Sequence, residues 1–173
     1  ASALTFYTRP NGGGTVERMR ISSAGYVTKP QTPAFFVTIN GGDNTTSAGH
    51  YIPWNVVKHN NGNHFSTAAH FFTAPVDGFY YFHTQVWAKN GTSNARIHYY
   101  YEDASNGYSG DQLTQNGFHG NSVQHQDTSL NATIMWYMGV GDRMGVRPDN
   151  TNLTYYTAGA SILIHIFVVF FFF

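Results

Sequence analysis

The stretch PVDGFYYFHTQVWAKNG, residues 75–91, opens and closes on turn signals and carries large aromatic side chains on both sides of what reads as one strand. Successive side chains of a strand point to opposite faces, so Tyr80, Phe82, Thr84, Val86 and Ala88 share one side, and Phe79, Tyr81, His83, Gln85 and Trp87 share the other. One core can cover only one of these sides. The second needs another partner, or stands in solvent.

The same period of two recurs along most of the chain. AFFVTING, HFFTAPVDG, ARIHYYYED and SILIHIFV each read as a strand flanked by Gly, Asn or Pro. In SLNATIMWYM, Leu130, Ala132, Ile134, Trp136 and Met138 face one way and Ser129, Asn131, Thr133, Met135 and Tyr137 the other; DRMGVR puts Met144 and Val146 inward. No helical stripe competes, which predicts a sandwich or barrel of short strands.

A chain of 173 residues can bury a sizeable core without covalent staples, and cysteine is absent, which fits folding in a reducing cytoplasm. Nine basic and nine acidic side chains balance to a net charge of zero, with no phosphate-tracking basic stripe, so nucleic acid is not an expected partner. The charged fraction is only 10% against 17% aromatic, which suits a multimeric all-β exterior protein better than a cytosolic enzyme. No signal peptide or long apolar span is visible. The run ILIHIFVVFFFF is too short to cross a bilayer, so no membrane insertion is expected.

Residues 1–33 have a different texture. Runs at Leu4–Thr8 and Val16–Ile21 flank a glycine-rich turn at Gly12–Gly14, a further turn follows at Ala24-Gly25, and Pro30 and Pro33 close the unit. Such a unit has almost no core and needs partner chains or a neighbouring repeat. Because the chain opens inside a strand-like run, a fragment of a longer fibre, or a processed chain, is expected.

PAFFVTIN, then FTAPVDGFYYF, then VGDRMGV, then an apolar strand after YYTAGAS together resemble the globular head of complement C1q and its tumour-necrosis-factor-like relatives. The most specific piece is carried by Phe72, Ala74, Pro75, Asp77, Gly78, Tyr80 and Phe82, and the second by Gly141 and Asp142. The resemblance implies an all-β jelly-roll sandwich of about ten strands that assembles as a compact homotrimer. In such trimers one face of the inner sheet packs on its own partner sheet and the other approaches the threefold axis. Tyr80, Phe82 and Val86 are then core, and Phe79, Tyr81, His83 and Trp87 form the trimer interface; the alternative is that His83 and Gln85 face solvent. ERMRISSAGYV, with Glu17, Arg18, Met19, Arg20, Ile21, Gly25 and Val27, resembles the short stalk repeat that precedes the tip of many phage and large-virus fibres, with Thr28-Lys29-Pro30 replacing the usual glycine-rich continuation. The resulting division is a stalk segment over 1–33, a jelly-roll head over 34–167 and an apolar tail over 168–173.

Chemistry is sparse. Glu102 and Asp103 are adjacent carboxylates, but neighbours on a strand point apart, so no glycosidase pair forms locally. The sequence holds no nucleophile elbow, phosphate loop or zinc-binding helix motif, and no enzymatic activity or cofactor is expected. On a threefold axis His83, His98 or His165 would become a ring of three able to hold an ion. The family resemblance implies instead an apical calcium held by loop carboxylates, for which Asp103, Asp111, Asp127 and Asp149 are the candidates. Glycan acceptor sequons stand at Asn44, Asn90, Asn131 and Asn152. The segment 102–127 reads as a long polar loop in which Tyr108, Phe118, His119 and His125, beside amides and carboxylates, make a candidate receptor-binding surface; a merely solvated loop is the plain alternative.

The leading expectation is a viral structural protein on the virion surface. It would be the trimeric knob of a tail or capsid fibre, joined to other virion proteins through the stalk, that attaches to a host glycan or protein receptor. A secreted complement-like or cytokine-like recognition module is the alternative, and a fibre tip that cleaves a surface polysaccharide is the second.

Overall fold

The computed structural model describes residues 2–41, 44–89, 96–113, 128–148 and 152–156, with the side chains of Gln112 and Thr128 excepted. Strands β1 (Leu4–Thr8), β2 (Val16–Ile21) and β3 (Val27–Thr28) form an antiparallel sheet of their own in the order β1-β2-β3. Its turn closes through Gly13 N–H donating to Pro10 O at 3.0 Å, with Gly12 at φ 75°. Charged side chains staple its surface: the Arg20 guanidinium grips Glu17 at 2.6 and 2.9 Å, and Arg18 Nε donates to Thr8 Oγ1 at 2.6 Å. Leu4, Phe6, Tyr7, Tyr26 and Val27 are all exposed, so this sheet buries little apolar surface by itself.

The following strands are β4 (Ala34–Thr38), β5 (Asn44–Thr46), β6 (Val56–Asn61), β7 (Phe65–Ser66), β8 (Phe71–Thr73), β9 (Gly78–Ala88) and β10 (Ile97–Asp103). A 3-10 turn, Ala104–Asn106, precedes β11 (Ser109–Leu113), β12 (Thr128–Met138), β13 (Arg143–Pro148) and β14 (Leu153–Tyr155). One sheet runs β11-β10-β13-β8-β7, a second runs β12-β9-β14-β5, and β4 pairs with β6. This is the all-β sandwich that the alternation predicts. No helix among the described residues is long and apolar enough to cross a membrane.

Aromatic rings fill the space between the sheets. Phe72 lies 5.3 Å from Phe35 and from Tyr80 and 5.7 Å from Phe82, and Phe82 lies 5.8 Å from Tyr99, centroid to centroid. Tyr80, Phe82 and Val86 are fully buried, as are Met144 and Val146, on the sides that the alternation assigns to the core. Thr84 can sit among them because its hydroxyl shares a 2.8 Å hydrogen bond with the Tyr99 hydroxyl. Trp136 departs from expectation. It lies on the inner side of β12, where Leu130, Ala132 and Met138 are buried, yet is itself 37% exposed, with the Tyr101 ring 6.0 Å away.

The two signature motifs meet each other. Ala74 N–H donates to Asp142 O and Gly141 N–H donates to Ala74 O, both at 2.8 Å, while Asp77 Oδ1 accepts from Val140 N–H at 2.7 Å. Gly141 adopts φ 90°, which glycine reaches without the steric penalty of a Cβ. The Asp142 side chain, buried to 5% exposure, accepts from Gly139 N–H at 2.7 Å, Ala104 N–H at 2.9 Å and the Tyr101 hydroxyl at 2.6 Å. The carboxylate therefore ties its own turn to residues 101–104, and the Asp142 backbone carbonyl adds Ala74. The segment 102–127 is corrected accordingly: its first part is a hairpin of β10 and β11, closed where Asp103 Oδ1 accepts from Ser105 N–H at 2.8 Å.

Burial raises several phenols above their ordinary range: Tyr80 to about 12, with Tyr99, Tyr101 and Tyr155 shifted the same way and Asp142 adding to the shift of Tyr101. A phenol raised in the folded state contributes fully below its unfolded value near 10 and loses that contribution as pH rises towards the folded value. Stability is expected to be level from about pH 7 to 9 and to fall above about pH 10. Denaturant titrations across that range check it, and the part of the tyrosinate absorbance that belongs to the buried phenols should appear only with unfolding.

Candidate functional site

Two surfaces of the sandwich carry more than packing requires. The first is the open face of β9 and β12, which pair in unbroken antiparallel register from Thr128↔Ala88 to Met138↔Gly78. That register sets Phe79 beside Tyr137, Tyr81 beside Met135, His83 beside Thr133, Gln85 beside Asn131 and Trp87 beside Ser129. At one end Phe79 and Tyr137 meet edge to face at 5.3 Å, and Met135 and Tyr137 are 55% and 53% exposed. In the middle lies a polar band. His83 Nδ1 and Thr133 Oγ1 are 2.8 Å apart, and Gln85 Nε2 donates to Ser129 Oγ at 2.9 Å. At the far end Trp87, 47% exposed, lies 5.8 Å from Tyr156. The four interface candidates Phe79, Tyr81, His83 and Trp87 thus share one face, and the structure adds Met135 and Tyr137 from the neighbouring strand.

The second surface is the outer face of β10 and β13. Arg143 and Arg147 alternate with Gly145 along β13, opposite Glu102, His98 and Tyr100 respectively. The Arg147 guanidinium lies 3.4 Å over the Tyr100 ring and 4.0 Å over the Tyr51 ring, and Nη2 donates to Glu102 Oε1 at 3.3 Å. Glu102 also accepts from the Tyr51 hydroxyl at 2.8 Å; burial first, then this bond, pushes the Tyr51 phenol well above its ordinary range. Gly145 is required because the Tyr51 ring occupies the space a Cβ would take. Arg143 is held in the same way, 3.5 Å over the Tyr108 ring and 4.8 Å over the Phe71 ring. Tyr108 itself has φ 60°, directly after Gly107 at φ 62°. That left-handed conformation costs a residue with a Cβ roughly 1–2 kcal/mol. The Tyr108 N–H bond to Asp103 O, at 2.8 Å, helps hold it there.

Of the receptor-facing candidates, Tyr108 is therefore placed on an arginine, while Phe118, His119 and His125 lie outside the described residues. Arg143 and Arg147 were not singled out by sequence reasoning; the signal available was their spacing around Gly145 on the side opposite Met144 and Val146. The ion candidates do not fit together. Among the described residues no three His, Asp or Glu side chains converge, Asp103 is engaged in capping its turn, and Asp111 sits within β11. His83 shares its bond with Thr133 and His98 is buried beside Tyr100, whereas Asp127, Asp149 and His165 lie outside the described residues. The space enclosed between the sheets, lined by Phe35, Trp54, Phe82, Tyr99 and Val146, has room for no more than about one water molecule and is no substrate pocket.

Comparisons with known proteins agree with this architecture. Among solved structures the chain is similar to the globular domain of zebrafish complement 1qA protein, at a TM-score of 0.62 and 15% identity over 80% of this chain and 98% of that one. It is similar to Eiger TNF from S. frugiperda, at a TM-score of 0.60 and 12% identity over 79% and 90% of the two chains. Murine APRIL at pH 8.5 follows, at 0.58 and 12% identity over 79% and 98%. At such identities the likeness speaks for the fold alone. A search among curated protein sequences finds no significant match. The family model of the C1q domain matches residues 34–161, well over half of the sequence. The chain belongs to the C1q domain family.

Proposed function

We propose that the chain is a trimeric recognition head carried at the end of a viral fibre, with the open face of β9 and β12 as its subunit interface. The observation that carries this reading is that face: Phe79, Met135 and Tyr137 stand exposed together at one end of strands whose opposite side is the core, and Trp87 stands exposed at the other end. Contiguous exposed apolar patches on a stable soluble protein mark interaction sites. A second and third copy of this chain are the simplest occupants, because a closed ring covers every copy of the face and leaves none open. The three-stranded sheet of residues 2–33 supports a stalk: it exposes its own apolar side chains and follows the sequence pattern of fibre repeats, so it gains a core only by packing against equivalents of itself. On this reading residues 1–33 are the stalk, 34–167 the head and 168–173 an apolar tail, and attachment runs through the loops, with Tyr108, Phe118, His119 and His125 facing the host surface and other virion proteins meeting the stalk. The virion surface is the corresponding location.

Sedimentation equilibrium at micromolar concentration tests the assembly directly. A trimer that persists on dilution is the expected result, and a stable monomer overturns the interface assignment. A longer chain carrying further ERMRI-type repeats upstream, imaged as a threefold fibre, separates the viral reading from a secreted complement-like module.

A further inference from the structure

We infer that Arg143, clamped between Tyr108 and Phe71 on the outer face of β13, is the anion-reading group of a binding site for an acidic saccharide, one that presents a carboxylate or sulfate next to a pyranose ring. A guanidinium offers five N–H donors in a rigid plane that matches such groups bidentately. In Arg147 Nη2 is on Glu102, Nε is buried, and the side chain is only 17% exposed. Arg143 differs. Its one ion pair among the described residues, Nη1 to Glu102 Oε2 at 3.6 Å, is longer than a hydrogen bond, and its side chain is 30% exposed. Two rings packed on its guanidinium, Tyr108 at 3.5 Å and Phe71 at 4.8 Å, restrict its motion, so little side-chain freedom is lost on binding.

The electrostatic balance permits an anion. Glu102 offsets one of the two arginines, and alternation along β10 and β11 turns Asp103 and Asp111 to the opposite side of the sheet from Glu102 and Arg143. The saccharide part of the assignment comes from Tyr108. One face of its ring lies on Arg143, yet the residue remains 40% exposed, which leaves aromatic surface for the C–H face of a sugar. Exposed Asn106, on the same turn, adds an amide for hydroxyl groups. The left-handed backbone at Tyr108 is the second sign: a strained conformation kept for a bulky residue at a site that needs its ring is a recurrent mark of function.

The inference deepens the recognition reading but does not depend on the trimer. The test is titration of the full chain, by calorimetry and by ligand-observed NMR, with N-acetylneuraminic acid, glucuronic acid and glucose 6-sulfate; methyl galactoside and inorganic phosphate serve as comparison probes. At least one acidic sugar should bind with a dissociation constant in the millimolar range, and neutral sugar and free phosphate should bind at least about tenfold more weakly. Arg143→Gln should weaken acidic-sugar binding by about tenfold or more, and Arg143→Lys should do nearly as much, since an ammonium can neither stack nor present a fork. Tyr108→Gly, which suits the left-handed backbone and so preserves the turn, should also weaken binding and serves as the deciding variant if the Arg143 changes disturb folding. Equal binding of phosphate overturns the saccharide assignment, and acidic-sugar binding that survives both Arg143→Gln and Tyr108→Gly overturns the site. Absence of binding to all the acidic probes overturns it as well. A monomeric chain that binds them refutes the trimer and leaves the site standing; a trimer that binds none refutes the site alone.

Discussion

Replacing Asp142 by Ala is expected to lower the unfolding free energy of the head by about 3–6 kcal/mol, more than the deletion of most single core side chains. The carboxylate accepts from two backbone amides and one phenol, joining its own turn at 139–142 to the stretch 101–104, in a place with almost no solvent access. Truncation leaves each donor to find water or go without, at roughly 1–3 kcal/mol for each one left unsatisfied. It also loosens the meeting of the turn at 139–142 with Ala74, since Asp142 O accepts from Ala74 N–H in the same turn. Asn at this position keeps one acceptor but turns an NH2 group towards a donor, so Asp142→Asn should cost somewhat less, about 2–4 kcal/mol. Chemical denaturation of the two variants beside Phe82→Ala, expected to cost about 3–5 kcal/mol, gives the comparison. A loss below about 1 kcal/mol for Asp142→Ala, the range of an ordinary surface carboxylate, would show that the clamp does not hold the turn at 139–142 to residues 101–104.

The same network explains what was legible in the sequence and what was not. Alternation assigns a side, and it did so correctly for Tyr80, Phe82, Val86, Met144 and Val146, because that side of each strand packs into the one core between the sheets. Trp136 shows the limit. Its side follows from alternation, but its depth depends on what packs over that point of the strand, for Met138 two residues on is fully buried, and no local pattern records that. The hairpin at 102–113 was masked by its turn: Ser105, Asn106 and Gly107 read as loop chemistry, while the pairing of β10 with β11 depends on contacts made across the sheet. The open face of β9 was readable from its aromatic residues, and the contribution of Met135 and Tyr137 awaited the register with β12. The arginine sandwiches were out of reach for a related reason. Arg143 meets Tyr108 and Phe71, and Arg147 meets Tyr51 and Tyr100, across separations that motif spacing does not encode. Only the arginine–glycine–arginine alternation, with its gap for a ring over Gly145, hinted at them.

The second large effect concerns assembly. If the chain assembles as proposed, Met135→Glu or Tyr137→Glu is expected to dissociate the trimer while leaving the subunit folded. Both side chains are more than half exposed in the single subunit, so its own stability should change by no more than about 0.5 kcal/mol. In the trimer each change removes an apolar contact and places a carboxylate where water is excluded, at a cost of about 2 kcal/mol or more per subunit. A threefold assembly repeats that cost three times. About 6 kcal/mol per trimer corresponds to roughly a ten-thousandfold fall in the assembly constant, enough to turn a trimer stable at micromolar concentration into monomers. Trp136→Ala provides the internal control: lying at the rim over Tyr101, it should cost the subunit about 1–2 kcal/mol, clearly less than Phe82→Ala, and leave assembly intact. Sedimentation and denaturation of the four variants separate the two kinds of damage. If Met135→Glu and Phe82→Ala destabilise the subunit alike, the outer side of β12 is not an interface. If the glutamate variants remain trimeric, the copies meet through a different face, and the aromatic surface of β9 and β12 is open to another partner.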